Sequence, residues 1–312
     1  MSGKYVTETL GSGEGGLARA CEILRNGGLV AVPTETVYGL AARADNDSAV
    51  ARIYEAKGRP SFNPLIVHVS SLNEAKRIAE FSLEAERLAK EYWPGPLTLV
   101  LPKRKDASLA EAVTAGLDTV AIRLPNHPVM RDILSSLDFP LSAPSANRSG
   151  FISPTSAAHV LASLDGRIEA VIEGGECASG LESTIIAVRE DGTLEQLRPG
   201  PLNFDSLAQS IPLDGRVEAP GQLASHYAPG KPVRLDVIRS VEDEFLIGFG
   251  EVSGDCSLSV EGDLEEAASR LYACLHLAAK SEKPRIAIAP VPDTGLGRAI
   301  NDRLRRAATP PN

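Results

Sequence analysis

The sequence has 312 residues, 43% apolar and 23% charged, which suits either one large domain or a domain of about 200 residues with a smaller companion. A net charge of −9 argues against stable nucleic-acid binding through phosphates, which asks for a basic excess, yet leaves room for a local basic pocket. The four cysteines (Cys21, Cys177, Cys256, Cys274) form no C-x-x-C pair, no apolar run approaches membrane-spanning length, and no basic-then-apolar leader opens the chain. A cytoplasmic protein with free thiols and no zinc, disulfide or membrane segment is expected.

Lys4 to Leu10 alternates loosely and reads as a short strand. Leu17 to Arg25 has helical spacing and stops at Asn26-Gly27-Gly28. Leu29 to Val32 reads as a buried strand closed by Pro33. Asp45-Asn46-Asp47-Ser48 is a capping cluster for a helix over Ala49 to Ala56, and Leu65 to Val69 is a strand. Leu72 to Trp93 is amphipathic and reads as two helices meeting near Phe81-Ser82, stopped by Pro94-Gly95-Pro96. Leu97 to Leu101, Thr119 to Leu124 and Pro140 to Ala143 are strands; Ser153-Pro154-Thr155 opens a helix, with Pro154 suited to a first turn. Ala170 to Glu173, Thr184 to Val188 and Leu194 to Leu197 are late strands. Strands outnumber helices without strict alternation, so a twisted mixed sheet of α/β (α+β) class is expected.

Composition shifts at residues 209–232, where Pro212, Gly215, Pro220, Gly221, Pro229, Gly230 and Pro232 read as an extended linker. Beyond it, strands at Val233 to Val237, Phe245 to Phe249 and Arg285 to Ala289 alternate with helices at Leu264 to Ala279 and Arg298 to Ala307. That order predicts a small Rossmann-like α/β domain. The expected division is 1–208, linker 209–232, and 233–312.

Three clusters carry chemistry. Pro33-Thr34-Glu35-Thr36-Val37-Tyr38-Gly39-Leu40 follows a strand, where polar residues line a site or make a turn. Lys57-Gly58-Arg59-Pro60 sets two cations on a constrained backbone, converging on an anion or else capping a helix end with Arg59 solvated. Ser142-Ala143-Pro144-Ser145-Ala146-Asn147-Arg148-Ser149-Gly150 offers hydroxyls, amides and free N–H groups before a helix, as a nucleotide loop or a Ser-rich turn. No Walker loop or G-x-S-x-G elbow is present, and the histidines show no metal spacing. Gly11-Ser12-Gly13-Glu14-Gly15-Gly16 fits a dinucleotide fingerprint, with Glu35 downstream where a ribose-binding acid belongs. The turn Asp293-Thr294-Gly295-Leu296-Gly297 follows the last strand.

Taken together, the strings PTETVYGL, KGRP, NPLIVHV, WPGPLTLVL, VAIRLP, SAPSAN and LESTI, in this order, resemble the YrdC-like family of threonylcarbamoyl-AMP synthases over about residues 15 to 205. APGQLASHYAPGKP and PRIAIAPVPDTGLGRAINDRLRRAA are similar to its long, two-domain form. The resemblance implies a YrdC-like fold around a concave pocket and a nucleotidyltransferase. Its reaction joins L-threonine, bicarbonate and ATP into threonylcarbamoyl-AMP and pyrophosphate, with Mg2+ on the ATP. It also implies a downstream tRNA threonylcarbamoyl-transfer complex as partner. By resemblance, Thr36, His68, Arg123, Ala143 and Ser183 hold threonine, with Arg123 gripping the α-carboxylate. Arg59, Asn63, Thr119, Ser142, Ser145, Asn147, Ser153 and Arg198 hold ATP. Lys57 and Arg59 sit by the phosphates, and His226 and Tyr227 close as a lid. The alternatives are a carbamoyltransferase on the same fold, a non-catalytic RNA-binding module, and a dinucleotide oxidoreductase.

Overall fold

The apolar runs become strands and the capped amphipathic segments become helices in the computed structural model, which describes residues 6–204, 207–210, 217–222 and 225–309. The first part of the chain forms β1 (Glu8–Gly11), α1 (Glu14–Arg25), β2 (Val30–Val32), β3 (Gly39–Arg43), α2 (Asp47–Lys57), β4 (Ile66–His68), α3 (Leu72–Ile78) and α4 (Leu83–Tyr92). It continues with β5 (Leu97–Pro102), α5 (Glu111–Thr114), β6 (Thr119–Arg123), α6 (Pro128–Ser135), β7 (Leu141–Ser142), α7 (Ala157–Leu164), β8 (Ala170–Glu173), β9 (Thr184–Val188), β10 (Leu194–Arg198) and β11 (Gln209–Ser210). The last part forms β12 (Val233–Arg234), β13 (Glu244–Gly248), β14 (Cys256–Ser257), α8 (Leu264–Lys280), β15 (Arg285–Ile288) and α9 (Leu296–Ala308).

Among the described residues, β1 to β11 make one mixed sheet in the order β1-β8-β2-β3-β7-β4-β6-β5-β9-β10-β11. Parallel pairs such as β4/β6 and β5/β9 alternate with antiparallel ones such as β5/β6 and β9/β10. Strands β5 and β9 are buried along almost their whole length, so both faces are covered and their sequences read as unbroken apolar runs. The small sheet, β12-β15-β13-β14, is parallel throughout its described pairs and carries α8 and α9, the Rossmann-like arrangement expected.

Local chemistry sets the helix boundaries. Asn46 caps α2 by accepting from the Ala49 amide at 2.9 Å, and Ser82 caps α4, so the long amphipathic segment breaks where Phe81-Ser82 predicted. Gly58, at φ +58°, ends α2 and turns Arg59 back beneath it.

Several expectations shift. The helix expected from Ser153-Pro154-Thr155 starts instead at Ser156, which caps Ala157–Leu164. Ser153 and Pro154 are used elsewhere: the Ser153 hydroxyl bonds Glu182, and the Pro154 carbonyl accepts from the Tyr38 amide. Strands β3, β11 and β14 and helices α5 and α6 were not foreseen. Most are short or built of small residues, so their periodicity is faint; α6 is short but does carry a helical apolar face of Val129, Met130, Ile133 and Leu134. The first strand covers only Glu8–Gly11; Lys4 and Tyr5 lie outside the described residues. Pro212 and Gly215 of the expected linker also lie outside them. The rest of that stretch is not a free spacer, because Gly221, His226, Tyr227 and Ala228 are buried against the large sheet's loops.

The string Gly11 to Gly16 is a packing turn. A Cβ on Gly16 would stand 1.9 Å from the Gly11 carbonyl oxygen, so this glycine lets α1 press against the end of β1. Glu35, the supposed ribose acid, is paired with Arg123 instead.

The core around α8 and α9 also takes in Val37, Ile152 and Leu181 from the first part of the chain, so apolar packing is continuous between the two sheets' units. Gly180 lies at this junction. It sits at φ +65°, and a Cβ there would meet the Ala268 carbonyl oxygen and Ser269 Cα at 2.5 Å. Gly180→Ala therefore combines backbone strain with a backbone clash. It is expected to lower stability by roughly 2 kcal/mol or more. A urea titration of both proteins checks this, and an unchanged midpoint would contradict the packing described.

Candidate active site

The rim of the large sheet collects one end of many strands. In β4 and β6, His68 pairs with Arg123, the last residue of each. Thr98 of β5 lies opposite Arg123, and its hydroxyl is 2.7 Å from that of Ser183, just before β9. Gly39 opens β3 and bridges to Ser145 beyond β7. Residues far apart in sequence thus meet because their strands are neighbours.

They enclose a tight cavity with about 40 Å³ of free space, room for a water or two. Its lining includes Thr36, His68, Arg123, Ala143 and Ser183, the whole set that the resemblance gave to threonine. Arg59, Ser145 and Arg198 of the ATP set line it too, as do His226 and Tyr227 from the linker. A roomier cleft of about 390 Å³ lies between the residues after β10 and the start of α9, but it holds none of these groups. We take the tight cavity as the site because its chemistry, not its volume, is specific.

The remaining expected residues stand around it. The Lys57 ammonium does not face the cavity. It is buried and donates to the carbonyls of Ser145 at 2.5 Å and Asn147 at 2.6 Å. The Ser149 amide returns a bond to the Lys57 carbonyl at 2.8 Å, so the K-x-R and S-x-N segments are physically stitched together. Asn147 spends its side-chain amide on the Arg148 and Phe151 carbonyls, holding the loop closed. Asn63 accepts from Arg59 at 2.6 Å, and Ser142 is buried on β7. Thr119 opens β6, half-buried and opposite Pro102. Ser153 donates to Glu182 at 2.6 Å.

Arg59 corrects a reading from sequence. It is neither solvated nor loosely poised, but buried, with its guanidinium donating to the Asn63 and Pro64 carbonyls and to Asn63 Oδ1. Arg123 donates to Thr36 Oγ1 at 2.8 Å and to the Gly95 carbonyl, and forms an ion pair with Glu35 at 2.6 Å. Arg198 donates to the Ser183 carbonyl and hydroxyl and to the Pro220 carbonyl, tying the linker to the site wall.

Sequence reasoning gave Glu35 only the ribose-acid reading and Glu182 no role, although both stood inside quoted strings. Each is a lone acid in a motif without basic residues, and only the fold supplies its cationic partner. Burial alone would raise the Glu35 carboxyl; Arg123 and backbone amides outweigh it and hold the group below its ordinary range. Burial also pushes Glu182 up, but Arg303, Arg198 and two hydroxyls bring it down to about 2. Both acids are therefore committed.

The cations are not so balanced. Lys57, Arg59 and Arg198 bond carbonyl and hydroxyl oxygens and form no ion pair with a carboxylate among the described residues. Burial drives Lys57 well below its ordinary range, with Arg59 adding, and brings Arg59 down to about 10. A buried positive field of this kind is relieved by an anion.

A large mixed sheet with this pocket at its rim defines a YrdC-like α/β protein. Escherichia coli YciO shares that fold, with a TM-score of 0.55 at 21% identity over 66% of this chain and all of that one. Residues 22–200 match the Sua5/YciO/YrdC family model, described as "Telomere recombination", and residues 192–309 match "Threonylcarbamoyl-AMP synthase, C-terminal domain". The chain is 39% identical to the threonylcarbamoyl-AMP synthase of Bacillus subtilis, over 97% of this chain and 96% of that one. It is 40% identical to that of Pyrococcus abyssi, over 93% of each. The crystal structure of Pyrococcus abyssi Sua5 complexed with L-threonine superposes with a TM-score of 0.88 at 37% identity, over 97% of both chains. The chain belongs to the threonylcarbamoyl-AMP synthase family.

Two histidines make the site acid-sensitive. Burial pushes both His68 and His226 down to about 3, with nearby arginines adding to the effect. The unfolded chain protonates these imidazoles as pH falls below about 6.5, the folded chain only near 3, so stability is lost across that window. At pH 5 the loss is about 2 kcal/mol for each. The urea midpoint at pH 5 should lie well below that at pH 7, with the half-buried imidazoles of His159 and His276, pushed down to about 4 and about 3, adding to the loss; equal midpoints would show that these imidazoles are not held neutral.

Proposed function

We propose that the chain condenses L-threonine, bicarbonate and ATP into L-threonylcarbamoyl-AMP, pyrophosphate and water, supplying the threonylcarbamoyl-adenosine modification of tRNA. One observation carries this reading: a single pocket joins the threonine set Thr36, His68, Arg123, Ala143 and Ser183 to the cations Arg59 and Arg198 and to Ser145. The relatives' names supply the substrate class.

In this reaction the carboxylate of N-carboxylated threonine attacks the α-phosphorus. A new O–P bond forms, the bond to the β-phosphate oxygen breaks, and pyrophosphate leaves. The nucleophile belongs to the substrate, so the protein's task is to align the reactants and offset charge. Arg59 and Arg198 face the cavity where the phosphates would lie. Lys57 contributes its buried charge from behind the Ser145–Asn147 loop, while Ser145, Ser142, Asn147, Asn63, Thr119 and Ser153 shape the nucleotide side. Arg123, oriented by Glu35 and Thr36, meets the threonine carboxylate.

The free space of about 40 Å³ is far too small to bury a nucleotide, so closing over one calls for movement of part of the wall. The linker is the part that fits this motion. His226 and Tyr227 roof the cavity, and Arg198 holds Pro220 by one 3.2 Å bond. We assign residues 1–208 as the catalytic unit, 209–232 as a lid-bearing linker and 233–312 as the small domain.

Mg2+ is assigned to the nucleotide. No group of three or more His, Cys, Asp or Glu among the described residues suits a metal ion, and Glu35 and Glu182 are engaged, so a phosphate-borne ion is the fitting arrangement. Bound there, it would neutralise charge on the triphosphate. No described helix is long and apolar enough to cross a membrane. A cytoplasmic location and hand-over to a tRNA threonylcarbamoyl-transfer complex, without stable nucleic-acid binding, complete the proposal.

Pyrophosphate release from ATP is the test. Release should require both threonine and bicarbonate. Release independent of threonine, in folded protein, would refute the assigned reaction.

A further inference from the structure

The small domain reaches the cavity wall through a carboxylate. Glu182 lines the cavity and both its oxygens are fully engaged. Oε1 accepts from the Ser153 hydroxyl at 2.6 Å and the Tyr272 hydroxyl at 3.0 Å, and Oε2 accepts from Tyr272 at 2.8 Å and Arg303 Nε at 3.0 Å. Tyr272 belongs to α8 and Arg303 to α9. Arg303 is 0% exposed, although its helix is otherwise strongly amphipathic and rich in surface charge. Its guanidinium also lies 5.6 Å from the centroid of the Tyr227 ring, so one side chain touches both the wall acid and the roof of the cavity.

A buried carboxylate on the wall of a cavity that takes a triphosphate would repel it strongly, because little water screens the two charges. Arg198 is nearby, but its donors point to Ser183 and Pro220. Ser153 and Tyr272 are neutral. Arg303 is the cation that bonds Glu182 directly. It comes from α9, at the far end of the sequence.

We propose that Arg303 is a positioning residue for the nucleotide: it cancels the Glu182 charge at the cavity wall and braces Tyr227 above it, which makes ATP binding depend on the small domain. The proposal rests on the ATP reading above. In full-length protein, a cycle of Arg303→Met, Glu182→Gln and the double variant, titrated with a non-hydrolysable ATP analogue by calorimetry, separates the two. Arg303→Met should weaken analogue binding about tenfold or more, since it leaves the Glu182 charge buried and unmatched. The same change made in Glu182→Gln protein should cost less than about threefold, because the charge to be cancelled is gone. Arg303 also donates to Asp302 at 2.9 Å, and Asp302 keeps Arg306 as a partner in either case. An equal loss in both backgrounds, or none in either, would overturn the proposal. Should Arg303→Met alone fail to fold, the double variant decides: folded with analogue affinity like that of Glu182→Gln it supports the proposal, and unfolded it refutes it. Wild-type protein that does not bind the analogue would refute the nucleotide reading itself.

Discussion

A lysine ammonium buried without a carboxylate anchors this site. Lys57 ends α2, and among the described residues its charge is met by the carbonyls of Ser145 and Asn147, while its own carbonyl accepts from Ser149. Taking an ammonium out of water costs several kcal/mol unless its donors are well satisfied. The loop after β7 must therefore hold its carbonyls inward, and Asn147, bonded to the Arg148 and Phe151 carbonyls, helps fix that shape. The interaction thus sets the loop that carries Ser145, and it leaves a positive field behind the cavity instead of a cancelled pair.

The other charges divide by that logic. Arg123 and Arg303 have acids as partners, in Glu35 and Glu182. Arg59 and Arg198 bond neutral oxygens, although Arg198 also stabilises nearby Glu182, so their charge is less fully cancelled and can act on an anion. The protein thereby separates cations that shape the pocket from cations that act on what enters it. Such preorganised charge in a dry cavity stabilises developing negative charge without rearranging when the reaction occurs.

The linker and the small domain are parts of the same enclosure. Tyr227 sits at φ +64°, packed against Tyr272 of α8 with Arg303 beside it. His226 is buried over the cavity with its Nδ1 unpartnered. Opening the cavity must disturb these contacts, so the two sheets' units share one conformational equilibrium with the roof.

The sequence by itself determined most of the strands, the long helices and the chemical vocabulary of the site. Unbroken apolar runs such as Leu97–Pro102 and caps such as Asn46 and Ser82 act locally, and local signals are readable in one dimension. The motif strings likewise named the residues that line the cavity. What only the tertiary structure decided was who meets whom. That Arg59 is buried, that Lys57 faces a loop and not the cavity, and that Glu35 belongs to Arg123 all follow from strand order and register, which no spacing along the chain encodes. Glu182 shows this most plainly, because its partner Arg303 is 121 positions away and arrives only when a second sheet docks its helices against the first.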